Sequence, residues 1–376
     1  LSTFSSAVDI NSSADISESL TLSNESGTSL IVAADAEVGG NLSLGSISNV
    51  ESTINSNTTS IANISNSTLA NFTSGTRVYE DNNSNTGLGT NTLTSIDRVA
   101  AVRNTALGSN SLTSLTNGDD NLAIGYTALN ATTSGNKNVA VGSATLYSNN
   151  IGYNNTGVGY AALYSNTSGH SNLALGSYAL YSNTTGQSNI AVGINSLYSN
   201  TTGRTNVGIG YNALYSNTSG SSNVGIGREA LKSNISGNNN IGLGYRALFA
   251  NTTGAGNVGL GLNSLKSNTN GKNNVAMGSY SLFSNTSGTN NIAIGFTSSR
   301  FNTTGVSNIS LGNAALRNNQ SGSNNVAIGF NAGLNSKGSN NVYIGSNACQ
   351  DYINVNNFLC IGGNNPLIAG NFSTST

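Results

Sequence analysis

Between Asn104 and Gly329, apolar, small and polar residues recur in one order, and the order repeats every 17 residues. The unit Asn206 to Gly220 shows it: Asn, Val207, small Gly208, Ile209, Gly210, two variable positions, Ala213, Leu214, large Tyr215, then Ser-Asn-Thr-Ser-Gly. Glycines equivalent to Gly210 run from Gly108 and Gly125 to Gly312 and Gly329 in steps of 17. The register loosens only at the ends, where Gly89 precedes Gly108 by 19, Gly345 follows Gly329 by 16, and Gly362 comes 17 later. Val207 and Ile209 alternate with small residues, which is the period of a strand. Leu214 alternates likewise with Ala213 and Tyr215. The pattern predicts two short strands per unit between Gly- and Asn-rich corners, with Val207, Ile209 and Leu214 turned into a common core. Helical repeats are excluded, because 17 residues broken by two turns leave no room for a helix pair.

One unit cannot fold alone, since burying three apolar side chains falls far short of the cost of ordering its backbone. Stacking must supply the difference, and the fold class read from the repeat is all-β: a parallel β-solenoid, or β-roll, of 17-residue coils. In-register stacking makes ladders. Asn189, Asn206, Asn223 and Asn240 align so that their amides can bond along the axis. Tyr147, Tyr164, Tyr181, Tyr198 and Tyr215 form an aromatic column, continued by Lys232, Phe249, Lys266 and Phe283. Alternation points this column away from the leucines, toward solvent or a neighbouring chain.

Upstream the period changes. Ile47, Val50, Ile54, Asn57, Ile61 and Ile64 are spaced alternately three and four apart, a short coiled-coil seam. Ile or Val at both seam positions favours trimers, and a buried Asn57 would set the register. Before it, Ser19–Leu22, Leu30–Val32 and Leu42–Leu44 read as short strands broken by Gly27, Gly39 and Gly40. The organisation is therefore a short-strand segment over 1–46, a coiled-coil stalk over 47–72, a neck and irregular coil over 73–103, the regular solenoid over 104–345, and a final coil and cap over 346–376.

Composition narrows the function. Charged residues are 7% of the chain, against roughly 25% in typical soluble proteins. The net charge of −1 argues against nucleic acid as a partner, and no apolar run reaches the ~20 residues of a membrane span. The start, Leu1-Ser2-Thr3-Phe4, reads as a processed end or an excised piece.

The Asn-apolar-small-apolar-Gly repeats followed by Ala-Leu, over about Asn85 to Gly362, resemble the head repeats of YadA-type trimeric autotransporter adhesins and the repeats of phage and large-virus tail fibres. The seam with Asn57 resembles the stalks of those adhesins. The resemblance implies a trimer of parallel β-rolls with an attachment or receptor-binding role. Two departures stand out: the repeat is longer than the usual adhesin unit, and neither a membrane-anchor barrel nor a fibre-folding chaperone domain is present in the sequence.

Candidate chemistry is sparse. Asn-X-Ser/Thr acceptors recur in register at Asn166, Asn183, Asn200, Asn217, Asn234, Asn251, Asn285, Asn302 and Asn319, which suits a glycan coat, although Asn-Thr-Ser-Gly is also good turn chemistry. Cys349 occupies a core-leucine position and Cys360 a small-residue position one coil later, so the two are candidates for a disulfide, with two small buried thiols as the alternative. The Tyr column offers ring faces for sugars or a structural ladder. The turn threonines, such as Thr184, Thr201 and Thr218, form a rank of hydroxyls that raises ice binding. His170 sits at a variable turn position, Asp119 and Asp120 fall short of a Ca²⁺ shell, and the Gly-X-Gly strings lie between strands rather than before a helix. No acid–base pair or nucleophile can be assembled, so neither enzyme activity nor a cofactor is expected. The expected function is a structural fibre or adhesin shaft at a cell or virion surface, with itself as partner. The alternatives are a self-assembling filament subunit and a carbohydrate-binding module that engages cell-surface glycans through the Tyr column.

Overall fold

The computed structural model describes residues 2–4, 20–22, 77–97 and 100–372. The chain divides into two compact units, Leu1–Asn66 and Ser67–Thr376. In the first, β1 (Ser2–Phe4) pairs in parallel with β2 (Leu20–Leu22), Ser2 opposite Leu20. The expected strands at 30–32 and 42–44 lie outside the described residues, as does the seam of Ile47, Val50, Ile54, Asn57, Ile61 and Ile64.

The second unit is a parallel β-solenoid of about 16 coils, and among the described residues it contains no helix. β3 (Arg77–Glu80) forms an antiparallel hairpin with β4 (Thr86–Gly89), which opens the parallel ladder. One three-residue strand per coil follows, from β5 (Thr105–Leu107) to β19 (Val342–Ile344), and the ladder ends at β20 (Phe358–Gly362). β21 (Pro366–Asn371) then folds back antiparallel on β20. Each residue pairs with its repeat equivalent: Val207 opposite Val224, Gly208 opposite Gly225, Ile209 opposite Ile226. The irregular spacings of the glycines reappear as register steps, Thr86 to Thr105 at the start and Val326 to Val342 near the end. With neighbouring strands ~4.8 Å apart, the ladder is roughly 80 Å long.

The interior of the coil differs from the sequence expectation in two respects. First, there is one strand per coil, not two. Leu214 adopts φ 53° and Asn212 φ 55°, so the segment around Ala213–Tyr215 turns instead of extending, and coil after coil repeats this left-handed pair. Such conformations cost an L-residue roughly 1–2 kcal/mol. They are held here because the turn is hydrogen-bonded to the next coil, with Leu214 N donating to Ala230 O (2.9 Å) and Ser216 N to Lys232 O (2.9 Å). Second, the strand is inverted relative to expectation. Its central small residue faces inward, while Val207 is half-buried and Ile209 is 36% exposed. The leucines fill the interior from the opposite arm and leave no volume for a second large side chain: a Cβ on Gly225 would lie 3.2 Å from Leu214 Cγ.

This economy of volume explains the departures from the repeat. A leucine and the strand centre 11 residues later share one site, as Leu197 with Gly208 and Leu214 with Gly225. Where Gly333 replaces the leucine, the strand centre in the shortened coil is Tyr343, whose ring occupies the space a Cβ on Gly333 would need. Tyr343 is fully buried and its hydroxyl donates to Ser336 Oγ at 2.9 Å. Where Ser299 replaces the leucine, Ser310 faces it with hydroxyls 2.8 Å apart, and Ser298 Oγ donates to Ser310 Oγ at 2.7 Å. That polar contact separates an apolar spine running from Leu93 to Ala293 from a shorter one running from Ala315 to Cys360. The corner glycines are needed for a different reason. Gly210 has φ 128°, and a Cβ there would lie 2.8 Å from the backbone oxygen of Gly227.

Truncating the inward residue is expected to cost far more than truncating the outward one. Leu214→Ala should lower stability by roughly 2–5 kcal/mol and Ile209→Ala in the dispersed chain by less than about 1 kcal/mol, read from denaturant midpoints. Equal losses would place Ile209 in the core after all.

Candidate functional site

Two columns of asparagine line the interior corners. In the first, the side-chain amide of Asn206 donates to Asn189 Oδ1 (3.2 Å) and to Gly220 O (2.8 Å), while Asn189 Oδ1 also accepts from the Asn206 backbone N–H (3.0 Å). The same set recurs from Asn104 to Asn325. The second column was legible only as glycan acceptors. Asn217 Nδ2 donates to Asn200 Oδ1 (2.8 Å) and Gly220 O (3.0 Å), and Asn217 Oδ1 accepts from Asn234 Nδ2 (2.7 Å).

Asn166, Asn183, Asn200, Asn217, Asn234, Asn251, Asn285, Asn302 and Asn319 are all buried. Their Nδ2 atoms, where a glycan would attach, are engaged by a neighbouring asparagine, a glycine carbonyl or both. The expectation of glycans at these nine positions is corrected on that ground: the folded coil has no room for them. The turn threonines are likewise occupied, Thr184 Oγ1 donating to Thr201 O (3.1 Å) and Thr201 Oγ1 to Thr218 O (3.0 Å), so they do not present free hydroxyls as an ice-binding rank.

The aromatic column is real, but its faces are used. Tyr147, Tyr164, Tyr181, Tyr198 and Tyr215 stack with successive centroids 5.0–5.1 Å apart and planes within 12°. Each inner ring is covered on both sides, leaving edges and hydroxyls outward, so sugars cannot stack on these faces. Beyond Tyr215 the column becomes cationic and aromatic by turns. Lys232 lies over Phe249 (5.5 Å), Lys266 over Phe283 (5.2 Å), and Arg300 over Phe283 (5.7 Å). Beside it, Glu229 is nearly buried and receives Arg246 Nε at 2.6 Å and Lys232 Nζ at 2.9 Å. Burial alone would raise the Glu229 carboxyl; the hydrogen bonds from Arg246 and Lys232 outweigh it and hold the group below its ordinary range.

The outer face of the sheet is largely apolar, interrupted only by Thr86, Thr105 and Thr156 among the described residues. Its first and third strand positions carry Val, Ile, Leu, Met or Thr, and Ile209, Leu243, Met277 and Ile294 remain 36–40% exposed. A further exposed column follows the corner glycine and includes Tyr126, Tyr160, Ile194, Tyr211, Phe296 and Phe330. At the C-terminal end Cys349 and Cys360 are joined in a buried disulfide with Cα atoms 6.2 Å apart, in the same paired site that Leu214 and Gly225 fill elsewhere.

The remaining candidates are surface features. His170 stacks on Tyr153 with centroids 4.5 Å apart. Asp120 pairs with Arg103 (2.6 Å) and Asp119 accepts from the Val102 backbone (2.9 Å), and among the described residues no cluster of metal-ligating side chains occurs. No protein-family model, curated protein or solved structure matches this chain.

Removing one rung from the second asparagine column leaves acceptors and donors unpaired inside the coil. Asn217→Ala should therefore destabilise by about 1–3 kcal/mol or more, and chain produced in a glycosylating host should show no glycan at Asn217 by peptide mass analysis. The Glu229 carboxyl gives a pH signature. Because its folded pKa is lowered, its contribution is complete above the ordinary carboxyl value of 4.5 and is lost as pH falls through the folded one. Glu229→Gln should flatten that part of the acid limb of a stability–pH curve.

Proposed function

We propose that the chain is a non-enzymatic structural fibre subunit whose solenoid is a shaft, assembled side by side with copies of itself, at a cell or virion surface. The observation that carries this reading is the largely apolar outer face, whose third-position column is apolar without a break from Leu88 to Ile361. A ladder roughly 80 Å long, with about 7–10 Å between its outward columns, presents roughly 500–800 Å² of contiguous apolar surface. Patches beyond a few hundred Å² mark interaction sites, and a stable interface buries about 800 Å² per partner. The face has the same length and repeat as the solenoid itself, so a second copy of the chain fits it along its whole extent.

A closed arrangement of three copies with these faces turned inward is the form we favour, in keeping with the trimer-favouring seam from Ile47 to Ile64 and the adhesin-like repeats. A disulfide and a surface rich in Ser, Thr and Asn are compatible with an oxidising, extracellular setting. A second reading, end-to-end polymerisation into a filament, is favoured by Leu367, Ile368 and Phe372, exposed at and beside the terminal strand β21.

In mass photometry the chain is expected to form one discrete oligomer, most simply a trimer. The double variant Ile209→Asp, Leu243→Asp should dissociate it while leaving the β circular-dichroism signal intact. Monomers at micromolar concentration would overturn the reading, and open-ended filaments in electron microscopy would favour the second.

A further inference from the structure

The near-zero net charge conceals a strong local imbalance. Residues 121–350 carry ten Lys and Arg and a single acid, Glu229, a net of +9. Several of these cations are gathered in one column. Lys232, Lys266 and Arg300 hold the same coil position at intervals of 34 residues, two coils, with Phe249 and Phe283 on the coils between, and Arg317 follows one coil beyond. Among the described residues, Lys266, Arg300 and Arg317 have no ion-pair partner. They rest instead against rings, Lys266 on Phe283 at 5.2 Å and Arg317 on Phe301 at 5.8 Å. Packing against rings holds the stems in place while the charges go without a counter-ion.

We propose that the end of this column whose cations are unpaired, from Lys266 to Arg317 (Lys232 being engaged by Glu229), binds a linear acidic polysaccharide bearing one anionic group per disaccharide, lying along the solenoid axis. The inference does not depend on the assembly reading, because the column lies on a different arm of the coil from the apolar sheet face. Three observations select this ligand class. Cations two coils apart are separated by about 10 Å, twice the strand spacing. A pyranose in an extended β-linked chain spans about one coil, so acids on alternate sugars meet Lys266 and then Arg300, with Arg317 one coil further on as an added donor. Nucleic acid fits worse, since duplex DNA carries a charge every ~1.7 Å and single strands are bound by bases stacking on open aromatic faces. The faces here are covered by cations or by other rings, and what the column turns outward is ring edges, ammonium and guanidinium groups. These donate hydrogen bonds to carboxylate, sulfate and sugar hydroxyls.

The test uses the full chain and a size-defined hyaluronan oligosaccharide, with a neutral β-linked glucan and poly(dT) of matched length as comparators, by isothermal titration at several salt concentrations. Hyaluronan should bind, more weakly as salt rises, and the neutral glucan should not. Lys266→Gln with Arg300→Gln should weaken binding about tenfold or more without shifting the melting temperature, while Lys137→Gln, on a turn more than seven coils upstream of Lys266, should leave it unchanged. The salt dependence of the unaltered chain stands as an independent readout if the double variant folds poorly. Absence of hyaluronan binding, equal binding of the neutral glucan, or indifference to the double substitution overturns the proposal. Tighter binding of poly(dT) also overturns it and makes single-stranded nucleic acid the occupant.

Discussion

A buried asparagine amide has to be satisfied by something, and in this solenoid its partner lies one coil away. Asn206 leans on Asn189 and supports Asn223, and Asn217 does the same between Asn200 and Asn234. Such a ladder works only if adjacent coils present the same side chain at the same place. A slip of one residue would strip both columns of their partners at once and bury the freed amides. The constancy of the 17-residue period follows from that constraint more than from the apolar residues, which tolerate Val, Ile, Leu and Met interchangeably on the outer face.

Inside the ladders, the apolar core is a series of equal volumes filled in different ways. Leu214 over Gly225, Gly333 under Tyr343, Ser299 against Ser310 and Cys349 bonded to Cys360 are four solutions to the same site. Size is exchanged across the site and the total is conserved, as close packing demands. The outward Val and Ile residues are excluded by the same arithmetic, because a coil whose centre is already occupied by leucine accepts only Gly or Ala from the strand. The apolar exterior that carries the assembly proposal is thus a direct result of how the interior is packed.

Much of this was legible in the sequence. The period, the parallel stacking, the Asn206 ladder and the tyrosine column follow from spacing alone, and the placement of Cys349 and Cys360 could be read from the repeat. The facing of the strand could not. Alternation of Val207, Gly208 and Ile209 has the same period whichever side is buried, and the decision rests on the volume of Leu197, eleven residues before Gly208 in the preceding coil. The left-handed backbone of Leu214 was hidden because leucine seldom adopts it without a neighbouring coil to hold it there. The nine acceptor asparagines misled because a sequon records composition and not depth. Lys232 and Lys266 were legible as members of the column, but its excess of positive charge was not, because whole-chain charge averages over the asymmetry.

The serine contact at Ser299 and Ser310 has a mechanical implication. A stack in which each coil touches only its neighbours loses order by unzipping from its ends, and the boundary between cooperative blocks falls where the nearest-neighbour coupling is weakest. That boundary lies close to the C-terminal end, leaving a short outboard block with a small apolar spine of its own. The only covalent cross-link in the chain sits within that block. Under tension or heat, the staple restrains the short block whose fraying would otherwise expose the long one.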